Sequence, residues 1–192
     1  MIVTRSRKTK VLSRLAMSFC AALLSLQPLQ AMAAVVGPVT LEIPQGFQPA
    51  QTQRNGKTLI SAWTKSSRDK HVKALLQVSI YDYSAKLAKT PASEMQAGAE
   101  KYLREFLGGI ERRRSQYSQS AVTQMVLAGA PAARAAWHGK IGPMDVVGVM
   151  YSTILDNRYV VSLHTQDLGM EPTSAMLEAM HAIEALQLTP AP

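Results

Sequence analysis

The sequence predicts an α+β domain in which an antiparallel sheet of about six or seven strands is flanked by two main helices. Three observations lead to this prediction. Apolar and polar residues alternate along several short segments, two longer segments repeat apolar residues at steps of three and four, and the strand segments cluster along the chain. Clustered strands favour an antiparallel sheet onto which amphipathic helices pack.

The strand segments are short and are bounded by turn residues such as Asn55-Gly56. Seven strands are predicted, over residues 40–43, 59–65, 74–83, 121–127, 131–140, 144–155 and 159–164. The segments Val35–Pro38 and Thr189–Pro192 are predicted to be short tails.

Two helices are predicted between and after these strands. The first runs from Met95 to Ile110, because apolar residues line one side of this segment and charged residues the other. Thr90-Pro91 or a capping box of Ser93 with Gln96 would begin it. The second follows Pro172-Thr173, and its apolar face consists of Met176, Leu177, Met180, Ile183 and Leu186.

The first 33 residues have the layout of a secretory signal peptide. A basic start without acidic residues precedes an apolar run from Leu15 to Leu26, and Ala31-Met32-Ala33 supplies small residues at the cleavage positions. We expect cleavage after Ala33, which leaves residues 34–192 as a single domain with a core of about 39–188. An uncleaved anchor stays open, although the run is shorter than the roughly 20 residues of a spanning helix. The residues before Cys20 do not fit a lipoprotein signal.

Removal of this segment changes the charge and the cysteine content of the chain. The whole chain has a net charge of +8, but the remainder after Ala33 carries +3, from 16 basic and 13 acidic residues, and no cysteine. We therefore expect a periplasmic or secreted protein without disulfides, without a transmembrane span after cleavage and without a nucleic-acid partner.

Two basic groups are candidates for contact with an anionic partner, such as a lipid surface or an acidic protein surface. The candidate residues are Lys65, Arg68, Lys70, Lys73, Arg112, Arg113 and Arg114. The three arginines also follow the first predicted helix, where positive charge complements the carboxyl end of the helix.

The histidines offer weaker candidates for chemistry. His138 or His164, with Asp145 or Asp167, could form a catalytic pair or part of a metal site, although a hydrogen-bonded strand histidine is the simpler interpretation. His71 is expected in a solvated loop. Glu178 or Glu184 is expected to pair with His181 on the helix surface.

The sequence contains no serine-hydrolase elbow, no His-Glu-x-x-His motif and no phosphate-binding loop. We therefore expect a protein that is not an enzyme and uses neither a cofactor nor a metal. Its late methionines, which include Met144 and Met170, are expected mainly to fill the core.

The order of elements and several local features resemble the PsbP-like superfamily and its bacterial DcrB-type relatives. The features are Leu41–Phe47, with its Pro-x-Gly-aromatic opening, the mid-chain helix, the small-residue strand Ala132–Trp137, the hairpin into Tyr159–Leu163 and the terminal helix. Phe47 stands where the family usually has Trp. The resemblance spans about Val39–Leu188 and implies a PsbP-like sandwich and a binding or assembly role.

The sequence-based hypothesis is therefore an exported, non-enzymatic binding or assembly module of the bacterial cell envelope. Its partner would be a protein or an envelope component. Two alternatives remain open: a chaperone-like adaptor for another exported protein, and a hydrolase or metal-dependent enzyme of unrecognised type.

Overall fold

The computed structural model describes residues 32–66 and 73–189, and these residues form strands and three helices, of which two are long. The strands are β1 (Met32–Val36), β2 (Val39–Ile43), β3 (Gln48–Asn55), β4 (Thr58–Ser66), β5 (Lys73–Asp82), β6 (Ser115–Gln119), β7 (Thr123–Leu127), β8 (Ala130–Ile141), β9 (Met144–Leu155), β10 (Tyr159–Leu168) and β11 (Gln187–Leu188). The helices are α1 (Ser84–Leu87), α2 (Met95–Glu111) and α3 (Ser174–Glu184). The predicted α+β class is confirmed.

The strands form two antiparallel sheets. The main sheet has eight strands in the order β3-β4-β5-β10-β9-β8-β6, and β7 also pairs with β8. The second sheet has the order β1-β2-β11. The predicted strand count is therefore too low, and the predicted strand at 40–43 belongs to the second sheet. The segment Val35–Pro38 is part of the β1–β2 hairpin instead of a tail, because Val35 pairs with Thr40.

Tight turns set the register of the central hairpins. Residues 156–158 connect β9 to β10, and Asp156 and Asn157 have φ angles of 54° and 48°, a conformation that matches the twist of paired strands. Tyr159 consequently pairs with Leu155, and the regular register continues to Leu168 opposite Val146. The non-local pairing of β10 with β5 then joins the two halves of the chain.

The main sheet is covered on both faces, because alternate side chains of a strand point to opposite sides. We call one side the α2 face; its buried side chains pack against α2 and include Ala133, Ala135, Trp137, Val146 and Met150. We call the other side the α3 face; its buried side chains pack against α3 and the second sheet and include Leu76, Val78, Val149, Tyr151 and Leu163. The two long helices thus lie on opposite faces.

Helix α2 forms where the apolar spacing predicts it. Ala99, Leu103 and Leu107 are fully buried against the sheet. The approach is close at Gly98, where an added Cβ would lie 2.7 Å from Cδ1 of Ile154. Neither predicted cap is used, because a 3-10 turn at Ala92–Glu94 precedes the helix and no side chain caps it.

Helix α3 also forms as predicted. The hydroxyl of Thr173 accepts a hydrogen bond from the backbone N–H of Met176 at 3.4 Å and caps the helix. The buried face of α3 consists of Met176, Ala179, Ala182 and Ile183, so Leu177, which is 46% exposed, lies outside the predicted apolar face.

The predicted signal peptide lies outside the described residues except for Met32 and Ala33, which belong to β1. Cleavage after Ala33 would remove these two of the five residues of β1. Within residues 32–66 and 73–189, none of the helices is both long and apolar enough to cross a membrane.

Candidate functional site

The first group of candidate basic residues is only partly described. Lys65 on β4 contacts Glu178 on α3, with 2.6 Å between Nζ and Oε2, and its ammonium lies 5.8 Å from the centre of the Phe47 ring. Lys65 therefore links the main sheet to α3. Arg68, Lys70 and the loop histidine His71 lie outside the described residues, and Lys73 begins β5.

The three arginines after α2 have different environments. Arg112 and Arg113 are exposed. Arg114 is half-buried: it donates from Nη2 to Oε1 of Gln166 at 3.3 Å, and its guanidinium lies 5.7 Å from the centre of the Trp137 ring. Burial and the neighbouring Arg113 lower the pKa of Arg114. The structure thus assigns Arg114 a packing role, which the sequence pattern does not distinguish from that of its two neighbours.

A charged cluster joins His138, Lys140 and Asp145 at the end of the β8–β9 hairpin. Nε2 of His138 lies 3.2 Å from Oδ1 of Asp145, and Nζ of Lys140 lies 3.3 Å from the same oxygen. The regular register places Lys140 opposite Asp145 and His138 opposite Val147, so the three side chains share the α3 face. Of the four predicted combinations of histidine and aspartate, the structure brings this one within hydrogen-bond reach.

His164 is buried on the α2 face and is therefore separated from Asp145 and Asp167 by the sheet. Its ring lies 5.7 Å from that of Trp137, and its Nε2 has no hydrogen-bond partner among the described residues. Burial, with a smaller effect of Arg114, lowers the pKa of His164 to about 4. The imidazole of His164 is therefore buried and neutral at pH 7.

Asp167 is used to support α3. It is 1% exposed, and its carboxylate accepts hydrogen bonds from the Thr173 hydroxyl and, at 2.9 Å, from the Leu168 N–H. Asp167 thereby holds the residue that caps the helix.

The predicted pairing of His181 with Glu178 or Glu184 is not formed. Glu178 contacts Lys65, and Glu184 accepts a hydrogen bond from the hydroxyl of Tyr151 at 3.0 Å. Among the described residues, no group of three or more histidine, cysteine, aspartate or glutamate side chains is placed to hold a metal ion.

A pocket of about 290 Å³ opens on the α3 face beside β6. Its apolar lining includes Val147 and Val149 of β9, together with Pro172 and Met176 from the start of α3. Ala136 also lines it and is exposed, and α3 packs mainly against β5 and β10 of the main sheet. The pocket therefore lies on the α3 face over β8 and β9, between the start of α3 and β6.

The open side of this pocket is polar but uncharged at β6. Ser118, Gln119 and Ser120 line it, and His138 lies beside them because Ser118 is its cross-strand partner. Strand β6 is the last strand of the sheet on this side and pairs with β8 alone. The pocket therefore adjoins an open sheet edge. Sequence reasoning missed it, since β6 shows no apolar alternation.

Comparison with known proteins supports the fold. Neither a protein-family model nor a curated protein matches the chain. The structure is similar to LpqN, described as involved in cell envelope biogenesis of Mycobacterium tuberculosis, with a TM-score of 0.54 and 11% identity over 84% of this chain and 91% of LpqN.

It is also similar to the Ran-binding protein Mog1p of Saccharomyces cerevisiae, with a TM-score of 0.50 and 10% identity over 83% of this chain and 96% of Mog1p. A mutant of protein Mog1 gives a TM-score of 0.52 and 12% identity, with the same coverage of both chains. Similarity at these identities establishes a shared fold and nothing about function.

Proposed function

We propose that this chain is an exported, non-enzymatic binding module of the bacterial cell envelope with a PsbP-like fold. The observation that carries the proposal is the apolar pocket beside the edge strand β6. Ligand sites are typically concave and mainly apolar, with a few polar groups that set orientation.

The partner that fits this site best is an extended segment of another envelope protein with a large apolar side chain. Peptides that add to a sheet edge obtain affinity from main-chain hydrogen bonds and specificity from side-chain pockets. Ser118, Gln119 and Ser120 are uncharged, which suits a neutral peptide backbone better than a charged small molecule.

Two further observations support the envelope assignment and the family. The first 33 residues have the features of a secretory signal, and LpqN, which shares the fold, is described as acting in cell envelope biogenesis. In the PsbP-like opening, Gly46 has a φ of +84°, the Phe47 N–H donates to the Pro44 carbonyl at 3.2 Å, and the Phe47 ring is buried.

The test is site-specific photo-crosslinking in cells. A photoreactive residue at Ser118 should yield a protein adduct, and Ala136→Phe, which fills the pocket, should abolish it. Ala50→Phe, an exposed strand alanine on β3, should leave the adduct unchanged. An adduct that survives Ala136→Phe would contradict the proposal, and so would an adduct that contains lipid but no protein.

A second candidate function, that of a hydrolase, is favoured by the 3.2 Å contact between His138 and Asp145 and by the position of Ser118 across from His138. A nucleophile, a base and an orienting carboxylate need this kind of proximity. Hydrolysis of a small ester by the purified protein, lost in both His138→Gln and Ser118→Ala, would favour this function over the binding module. A chaperone-like adaptor would instead yield adducts with many unrelated proteins in the crosslinking test.

A further inference from the structure

One end of the main sheet combines exposed apolar side chains with exposed arginines. The β8–β9 turn, the carboxyl end of α2 and the carboxyl end of β10 meet here. Ser115, directly after the three arginines, pairs with Lys140. The Gly169 N–H donates to the Asp145 carbonyl at 2.7 Å and brings Met170 to the same place. We call this end, formed by Arg112, Arg113, Ile141–Met144 and Met170, the tip.

The apolar side chains of the tip are not covered by any described part of the protein. Met170 is 70% exposed, Met144 is 47% exposed and Ile141 is 37% exposed. Ile141 and Met144 are cross-strand partners, and Gly142 and Pro143 between them are exposed as well. The expectation that these methionines fill the core is therefore wrong for Met144 and Met170.

The basic residues around the tip are either exposed or held by other side chains. Arg112 and Arg113 are exposed, and neither forms an ion pair within the described part of the chain. Lys140 is held by Asp145, and Arg114 is packed on Trp137. Glu111 and Glu171 are exposed acidic residues nearby. The exposed positive charge of the tip therefore comes from Arg112 and Arg113.

We propose that the tip docks on an anionic phospholipid surface. Met144 and Met170 enter the headgroup region, and Arg112 and Arg113 bind lipid phosphates. Interfacial binding becomes stronger with the apolar area that enters the acyl boundary and with the attraction of basic residues to anionic headgroups. Glu111 and Glu171 oppose the attraction, so the contact is weak and sensitive to salt.

A lipid surface fits the tip better than a protein does. A stable protein interface buries about 800 Å² on each partner. Three partly exposed side chains at the tip supply far less than this area, whereas such side chains can enter a fluid interface without a complementary surface. This proposal does not rest on the pocket beside β6.

The test measures the environment of the tip itself, because the apolar N-terminal run could bind vesicles in every variant. In the full chain with Cys20→Ser, an environment-sensitive dye is attached through Met144→Cys, or through Val126→Cys as a control. Val126 is 65% exposed and lies at the other end of β8, opposite Pro131. The proposal predicts a blue shift at position 144 with phosphatidylglycerol vesicles, little shift with phosphatidylcholine vesicles, and little shift at position 126 with either.

The arginines are tested in the same labelled protein. Each exposed basic residue near an anionic surface contributes about fivefold in affinity, which is about 1 kcal/mol. Arg112→Ser with Arg113→Ser should raise the lipid concentration for half-maximal shift by about 25-fold. Arg54→Ser with Lys57→Ser removes two exposed cations at the opposite end of the sheet and should change it less than twofold.

Three results would overturn the proposal: no shift at position 144 with either lipid, equal shifts with both lipids, or equal losses from the two pairs of basic substitutions. Circular dichroism of each labelled variant checks that the fold is retained. If the variant labelled at position 144 fails to fold, the dye is attached through Met170→Cys instead, and the same results are expected.

Discussion

Replacement of Gly148 by alanine should destabilise the protein because it crowds the indole of Trp137. A Cβ at residue 148 would lie 2.4 Å from both Cε2 and Cζ2 of that ring and 2.6 Å from Nε1. The two residues are direct cross-strand partners in β8 and β9, so the contact is fixed by the register.

The indole cannot move away easily. Trp137 is 3% exposed, and the ring of Tyr117, the guanidinium of Arg114 and the ring of His164 lie 6.4 Å, 5.7 Å and 5.7 Å from its centre. Overpacking of a core typically costs 1–3 kcal/mol. We expect a loss of about 2–3 kcal/mol, which for a chain of this size lowers Tm by about 5–10 °C.

Gly98→Ala is the matched control. A Cβ at residue 98 would lie 2.7 Å from Cδ1 of Ile154, which is the end of a flexible side chain and can rotate. Alanine also gains about 1 kcal/mol over glycine inside a helix. The two effects oppose each other, so the free energy of unfolding should change by less than about 1 kcal/mol.

Thermal and urea unfolding monitored by circular dichroism would measure both variants. Trp137→Phe provides the second test, since a smaller ring relieves the crowding: it should cost less in the Gly148→Ala background than in the parent protein. A Gly148→Ala protein whose Tm lies within about 2 °C of the parent would refute the reasoning, as would costs that simply add.

Two further predictions concern buried polar groups. In the folded protein His164 has a pKa of about 4, against an ordinary value of 6.5. The unfolded state therefore binds more protons between these two values, and the free energy of unfolding falls by roughly 2–3 kcal/mol as the pH drops from 6.5 to 4. The difference in urea-unfolding free energy between the parent and His164→Gln should shrink over this range, and a constant difference would contradict the low pKa. Asp167→Asn should lower the free energy of unfolding by about 1–3 kcal/mol at pH 7, because it disturbs two hydrogen bonds of a buried carboxylate. An unchanged urea midpoint would show that Asp167 does not support the cap of α3.

The sequence predicts well those helices and strands that bury an apolar face. Helix α2 and strands β8, β9 and β10 were expected within a few residues of their observed limits, because each buries at least one apolar face and so carries a clear periodicity. Strands β3 and β6 were missed for the opposite reason. All eight residues of β3 are exposed, and β6 has Tyr117 as its single aromatic residue among serines and glutamines, so neither strand carries an apolar alternation.

The candidate site was predictable only where neighbouring residues decide it. His138 and Asp145 lie across one short hairpin, so their contact follows from its register. The burial of Arg114 depends on how the chain returns from α2 past Gly139, where an added Cβ would lie 2.9 Å from Cβ of Arg114. Packing of this kind brings together segments that are far apart in the sequence, so the residues next to Arg114 do not predict its burial.

The small side chains beside the pocket bear on whether this region has a function. An exposed strand that only faces solvent commonly carries long charged residues, which protect sheet edges from unwanted pairing. Around the pocket the chain instead has Ala136, Ser118 and Ser120, next to Val147 and Val149. Residue 136 is exposed on its strand, yet it is an alanine. Small, uncharged residues around an apolar pocket at a sheet edge are what a binding surface requires, and this is the physical reason why we propose the binding site on this side of the sheet.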